Sequence, residues 1–176
     1  ALGVLGLVRP AFLGASPPRG VVDVNTTYSR VWVYDRLLAT ESGGTVPVRF
    51  MRIGNENTGA MFHDYWEPVY EYTRYFHLVR HFNPGFETAL MIGGGAYVYP
   101  LIYLHDYPRA RMDVVEIDPK VTEIARRYFW LEPDPRMNIV HQDGRVYLNR
   151  SEERYDVLFV DAFRSHSHIP PHLVTR

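Results

Sequence analysis

Leu90-Met91-Ile92-Gly93-Gly94-Gly95 and Val114-Val115-Glu116-Ile117-Asp118-Pro119 are the two stretches whose reading decides the fold. In each, an apolar run of strand length stops abruptly at residues that a strand does not favour. Glycines after Ile92 let the main chain turn sharply and let a ligand come close to the backbone, while the start of a following helix offers unpaired N–H groups. In the second stretch Asp118 suits a helix cap and Pro119 its first position, with Val121, Ile124, Ala125, Tyr128 and Phe129 forming one buried stripe. The same alternation continues downstream, so residues 88–92, 112–117, 137–141 and 155–160 read as strands separated by helical spacing. Repeated strand–helix order calls for a parallel sheet covered on both faces.

The residues at the strand ends are chemically selective. The four strands end in Gly93-Gly94-Gly95, Glu116-Ile117-Asp118, Gln142-Asp143-Gly144 and Asp161-Ala162-Phe163. All four ends fall on the edge where open α/β sheets bind ligands. Glu116 lies beyond the glycines at about the 20-residue spacing expected of an acid that holds ribose hydroxyls. The form of nucleotide is narrowed by what is missing. A dinucleotide fingerprint needs a third glycine where Val98 stands, and no Gly-Lys-Ser/Thr ending completes a P-loop. A pyrophosphate is therefore disfavoured, whereas a nucleoside bearing a cationic sulfonium suits an acid-lined pocket.

Upstream the period changes. Between residues 21 and 62 apolar side chains alternate, with Val31 and Val33 facing one way, Trp32 and Tyr34 the other, and Val46, Val48 and Phe50 repeating the pattern. The Gly-rich turn at residues 41–45 makes a small antiparallel sheet the economical reading, with a further short strand at 58–62. Residues 67–80 have helical spacing, Val69, Tyr72, Phe76 and Val79 lying on one stripe and Pro68 in the first turn, until Asn83-Pro84-Gly85 breaks it. The expected organisation is an N-terminal extension (1–22), a small β domain (23–62), a linking helix (63–83) and a nucleoside-binding α/β domain (84–176).

Composition removes several alternatives. The 176 residues, 46% hydrophobic, suffice for one full core. Nineteen Lys+Arg against twenty Asp+Glu leave a net charge of −1, so no global positive field exists to hold a nucleic acid. With no cysteine there is no thiolate zinc site, disulfide or cysteine nucleophile. His166, His168 and His172 read as solvated loop histidines rather than metal ligands, because Pro170-Pro171 interrupts them. The apolar run at residues 1–8 stops at Arg9-Pro10, short of a membrane span. The expectation is a cytoplasmic chain, or the soluble domain of a membrane-associated parent, with no metal.

The order and spacing of Leu90 to Gly95, Val114 to Pro119, Asp134-Pro135-Arg136, Gln142-Asp143-Gly144, and Tyr155-Asp156-Val157 with Asp161 resemble the spermidine synthase (polyamine aminopropyltransferase) family. Tyr28 and Arg30 to Asp35 resemble its small N-terminal β domain. The resemblance implies a Rossmann-like S-adenosylmethionine-dependent methyltransferase fold that binds S-adenosylmethionine, its decarboxylated form or methylthioadenosine. Carried over, Gly93, Gly94 and Gly95 line the nucleoside, Glu116 with Ile117 holds the ribose, and Asp143 with Gly144 contacts the adenine. Asp161 orients or deprotonates the attacking amine. Apart from the resemblance, the aromatic group Tyr65, Trp66, Tyr70, Tyr72, Tyr75 and Phe76 reads as packing between the two domains, with Tyr70 and Tyr72 as the candidates for the pocket mouth.

Three departures bear on the acceptor: Ala96 and Arg164 stand where the family has acids, and Ser29 where it has a glutamine. An arginine about 5 Å from an ammonium would repel it by about 3 kcal/mol at an effective dielectric of about 20, which disfavours putrescine. The chain is closer to the spermidine-synthase-like subgroup with Gly-Gly-Gly-Ala and Asp-Ala-Phe motifs, whose members sometimes follow membrane segments. The resemblance implies about seven strands where the sequence shows four, so the sheet reads as truncated, and its exposed edge predicts a homodimer. The implied reaction is aminopropyl transfer to a small-molecule amine. The alternatives are S-adenosylmethionine-dependent methyl transfer and a non-catalytic nucleoside-binding or assembly domain.

Overall fold

The computed structural model describes residues 22–40, 42–64, 66–162 and 173. The N-terminal extension up to residue 21, Phe163, Arg164 and the three histidines lie outside the described residues.

Four strands, β1 (Val22–Asn25), β2 (Arg30–Ala39), β3 (Thr45–Ile53) and β4 (Glu56–Phe62), form an antiparallel sheet in sequence order. Val33 opposes Met51 and Tyr34 opposes Phe50, with a register shift at Met51/Arg52. Alternation does what its period demands. Val31, Val33, Met51 and Met61 face one core, while Tyr34, Val48, Phe50, Ala60 and Phe62 build a second cluster on the opposite face.

Residues 67–80 depart from the expected single helix. Pro68 pairs with Met61 in an isolated antiparallel bridge, and helix begins only at α1 (Glu71–Tyr75). A 3-10 turn (Phe76–Leu78) then leads to α2 (Val79–Phe82). Extending β4's pairing to Pro68 holds the segment out of helical geometry, and Tyr70 precedes α1 with extended backbone. Tyr72 is consequently not part of a buried stripe: it is 41% exposed, while Phe76 and Val79 pack on the core.

The second sheet is wholly parallel. Its strands β5 (Thr88–Ile92), β6 (Arg111–Glu116), β7 (Met137–His141) and β8 (Val157–Val160) lie in the order β7-β6-β5-β8. Helices α3 (Val98–Asp106), α4 (Pro119–Tyr128) and α5 (Gly144–Arg150) make the crossovers. Ala89 and Met91 point into the main core with Val121, Ile124 and Ala125 of α4, and Leu90, Ile92 and Val115 point to the other face, where Tyr147 of α5 packs. Asp118 caps α4 by accepting from the Lys120 amide at 2.9 Å, ahead of Pro119. Asp134-Pro135-Arg136 is a brace: the Arg136 guanidinium pairs with Asp134 at 2.7 Å and donates to the Leu104 carbonyl at 2.8 Å.

The two sheets share a core, since Val31, Val33, Met51 and Met61 pack with Met91, Ala96 and Tyr97. The contact is tightest at Gly59, where an added Cβ would lie 2.2 Å from the Ala96 Cβ. Arg49 reinforces it by pairing with Asp35 and donating to the Tyr128 carbonyl at 3.2 Å. Among the described residues no helix is long and apolar enough to cross a membrane.

Candidate nucleoside and amine site

Backbone hydrogen bonds lock the four strand ends side by side. The Asp161 amide donates to the Ile92 carbonyl at 2.9 Å, the Gly93 amide to Val115 at 2.8 Å, and the Gln142 amide to Glu116 at 3.2 Å. The sheet order reverses between β5 and β8, so the glycine turn and Asp161 flank the topological switch point, the usual seat of a ligand in such sheets.

Gly93 (φ 95°) and Gly95 (φ 50°) occupy the left-handed region. A Cβ on Gly93 would lie 2.6 Å from the Asp161 carbonyl oxygen, so only glycine lets β5 and β8 approach this closely. The glycine amides are not left open. Glu116, buried at the end of β6, accepts from the Gly94 and Gly95 amides on Oε2 at 2.9 and 3.1 Å, and from the Asp118 amide on Oε1 at 2.9 Å. An internal carboxylate thus fills the place a phosphate takes in a P-loop. A carboxylate offers about four acceptor positions, so one remains for a sugar hydroxyl.

Asp143 accepts from the Arg145 and Val146 amides at 2.9 and 3.1 Å, capping α5. At Gly144 a Cβ would meet the Ile92 side chain at 2.5 Å, so glycine is required by packing. Ile117, next in sequence to Glu116, is 39% exposed and presents an apolar surface there.

A second group of residues closes the other side. Asp161, Gly94, Tyr70 and Tyr72 line one cleft together with Thr58, Gly59 and Tyr97. Tyr72 donates its phenol to both oxygens of Asp161, at 3.3 and 3.1 Å. Burial raises the Asp161 carboxyl to about 6, with the Tyr72 hydrogen bond acting in the opposite direction. Burial, and then the Asp161 charge, push the Tyr72 phenol upward. The Tyr70 hydroxyl is sealed from solvent and has no partner among the described residues. The structure therefore gathers Gly94, Asp161, Tyr70 and Tyr72 in one lining, while Glu116, Ile117, Asp143 and Gly144 continue the same edge onto β6 and β7.

Sequence reasoning missed Tyr97 and the Thr58–Gly59 stretch of β4. Tyr97 is fully buried at φ 59°, its ring lies against Gly94, and its hydroxyl meets the Thr122 hydroxyl at 2.7 Å. A tyrosine in left-handed backbone carries no local sequence signal. Tyr28 and Ser29 belong to the turn between β1 and β2 and take no part in the cleft lining.

A four-stranded parallel sheet with this order, joined to a small antiparallel sheet and carrying acids along the edge that includes the switch point, defines the Rossmann-like methyltransferase fold. Residues 70–173 match the model of the spermine/spermidine synthase domain, and the chain belongs to that family. The polyamine aminopropyltransferase of Vibrio vulnificus (strain CMCP6) is 42% identical over 98 residues, 54% of this chain and 32% of that protein. The eEF1A lysine and N-terminal methyltransferase of Xenopus laevis is 39% identical over 89 residues, 45% of this chain and 13% of that protein. The crystal structure of a probable spermidine synthase from Corynebacterium glutamicum ATCC 13032 superposes with a TM-score of 0.72 at 22% identity, covering 90% of this chain and 57% of that one. The chain spans about a third of the length of the Vibrio relative.

Proposed function

We propose that this chain is a transferase that moves an alkyl group from an adenosyl sulfonium to an amine. The donor is S-adenosylmethionine or its decarboxylated form, and aminopropyl transfer, releasing methylthioadenosine, is the reaction its family favours. The observation that carries the reading is the pairing of two carboxylates with opposite environments at one sheet edge. Glu116 is engaged by three backbone amides, whereas Asp161 is desolvated and raised to about 6.

The residues fit such a donor. Because Glu116 already neutralises the glycine amides, the loop suits an uncharged sugar rather than a phosphate, and the remaining acceptor position on Oε1 takes a ribose hydroxyl. Ile117 offers the apolar surface beside it, and the Asp143–Gly144 turn stands next along the edge for the adenine. When bound, the donor supplies an electrophilic carbon beside a sulfonium, and its sulfur leaves as a neutral thioether. The amine nitrogen forms the new bond with its lone pair, and Asp161 takes the proton that nitrogen sheds. A base near 6 is largely ionised at pH 7 yet basic enough to accept that proton. Tyr72 holds the Asp161 carboxylate in place. Alignment of nitrogen, carbon and sulfur supplies the remainder of the barrier reduction.

The Xenopus relative favours methyl transfer as a second reading. Incubation with each donor and a panel of amines, with products resolved by mass spectrometry, tests both. An aminopropylated amine supports the first, a methylated amine the second, and donor binding without any product reduces the chain to a nucleoside-binding domain.

A further inference from the structure

We infer that His141 is a positioning residue for the adenosyl donor, acting through Thr122 and Tyr97 on the glycine turn. The inference deepens the proposed function and rests on its reading of that turn as the donor seat. It is carried by one chain of side-chain hydrogen bonds that crosses three strand ends.

The chain starts at the surface. His141 closes β7 and is exposed, and its Nε2 lies 3.0 Å from the Thr122 hydroxyl of α4. Thr122 is 2% exposed and meets the Tyr97 hydroxyl at 2.7 Å. Tyr97 reaches the turn itself, because a Cβ on Gly94 would lie 2.5 Å from its ring. The Gly94 amide is one of those held by Glu116, and Glu116 stands opposite His141 in the β6–β7 register. Gln142, Asp143 and Gly144 follow His141 directly. Three side chains therefore tie together the turn after β5, the start of α4 and the turn after β7, the same loops that the donor reading uses.

Proton counting gives the chain a direction. Among the described residues these two contacts are the side-chain hydrogen bonds of Thr122 and Tyr97. With Tyr97 donating to Thr122 and Thr122 donating to His141, every hydroxyl proton is used, which requires a bare Nε2 and the imidazole proton on Nδ1. An Nε2–H would reverse the donation and leave a buried hydroxyl proton without an acceptor. His141 thus fixes both hydroxyls, and with them the ring that backs Gly94. A ring free to rock there would shift the amides that orient Glu116, and so the acceptor position left for the sugar.

Three variants separate positioning from bulk stability. His141→Gln keeps an acceptor oxygen near the place of Nε2, His141→Leu removes it, and Thr122→Val removes the hydroxyl with almost no change of shape. Each is titrated calorimetrically with methylthioadenosine, with its melting temperature recorded alongside. The leucine and valine variants are expected to bind at least about fivefold more weakly, and the glutamine variant within about twofold of the parent. Because the residues act as one chain, adding His141→Leu to Thr122→Val is expected to cost less than about twofold more. Two readouts need no ligand. Two-bond proton–nitrogen spectra, taken where imidazole is neutral, are expected to show His141 protonated on Nδ1, and amide exchange at Gly94 and Gly95 is expected to quicken in Thr122→Val. Unchanged affinity in His141→Leu, multiplying losses in the double variant, or a proton on Nε2 overturns the inference. If methylthioadenosine does not bind the parent, the donor reading falls, and the tautomer and glycine exchange decide the coupling to the turn by themselves: unchanged exchange in Thr122→Val overturns it.

Discussion

Replacing Glu116 with glutamine isolates the role of its carboxylate with almost no change of shape. In the native site Oε2 receives the Gly94 and Gly95 amides and Oε1 the Asp118 amide. A carboxamide has one oxygen. If it faces the two glycines, its NH₂ group confronts the Asp118 N–H and leaves that buried donor unpaired, at about 1–3 kcal/mol. The two bonds that survive lose the assistance of the negative charge, roughly halving their strength. The sum is about 3 kcal/mol. For a chain of this size each kcal/mol moves the melting temperature by about 2–4 °C, so Glu116→Gln is expected to melt about 6–12 °C lower. Thermal unfolding monitored by circular dichroism reads this directly. Glu116→Ala leaves all three amides without the acid and melts lower still. A glutamine variant within about 2 °C of the parent would refute the assignment of Glu116 as the internal anion of the glycine turn.

Three further outcomes rest on the same geometry. Asp161→Asn removes the base and is expected to cut turnover at least about a hundredfold. Because the folded state holds this carboxyl near 6, above its ordinary value of about 3.9, the folded chain binds the extra proton between those values. Asp161 therefore costs nothing below about pH 4 and destabilises progressively up to about pH 6. The asparagine variant should accordingly be more stable than the parent at pH 8, by up to about 3 kcal/mol in chemical denaturation, with the difference vanishing at pH 4; equal stability at both pH values counts against the burial. Tyr72→Phe deletes the hydrogen bond that opposes the upward shift, so the acid limb of the pH–rate profile should move to higher pH; movement to lower pH contradicts the contact. Ala96→Asp forces a larger side chain against Gly59, where even a Cβ pair is crowded, and should lower stability by about 2 kcal/mol or more, as overpacking does; a neutral effect on urea unfolding would show that the two sheets are not docked there.

Much of the parallel sheet was legible because its signals are local. Four apolar runs end in glycine or acid, Asp118-Pro119 announces a helix start, and alternation at Val31 to Tyr34 survives intact in β2. The segment after β4 was not legible. Its spacing at Val69, Tyr72, Phe76 and Val79 satisfies a helix, but pairing of Pro68 with Met61 is a tertiary contact that periodicity does not contain. The same limit applies to the site. Glu116 was identifiable from its spacing to the glycines, yet its three amide partners emerge only from the folded turn. Asp161 and Tyr72 are 89 positions apart, and nothing short of the fold brings them to 3.1 Å. Gly59 and Ala96 look unremarkable in sequence, and the contact between them sets how the two sheets meet.

The central claim is that the glycine turn, with its amides already held by Glu116, accepts an uncharged adenosyl group and rejects a phosphorylated one. Parallel calorimetric titrations of methylthioadenosine and adenosine diphosphate test it most directly. Methylthioadenosine is expected to bind at least about a hundredfold more tightly, equivalent to about 2.7 kcal/mol. Comparable or tighter binding of adenosine diphosphate, or no binding of methylthioadenosine, would contradict the account.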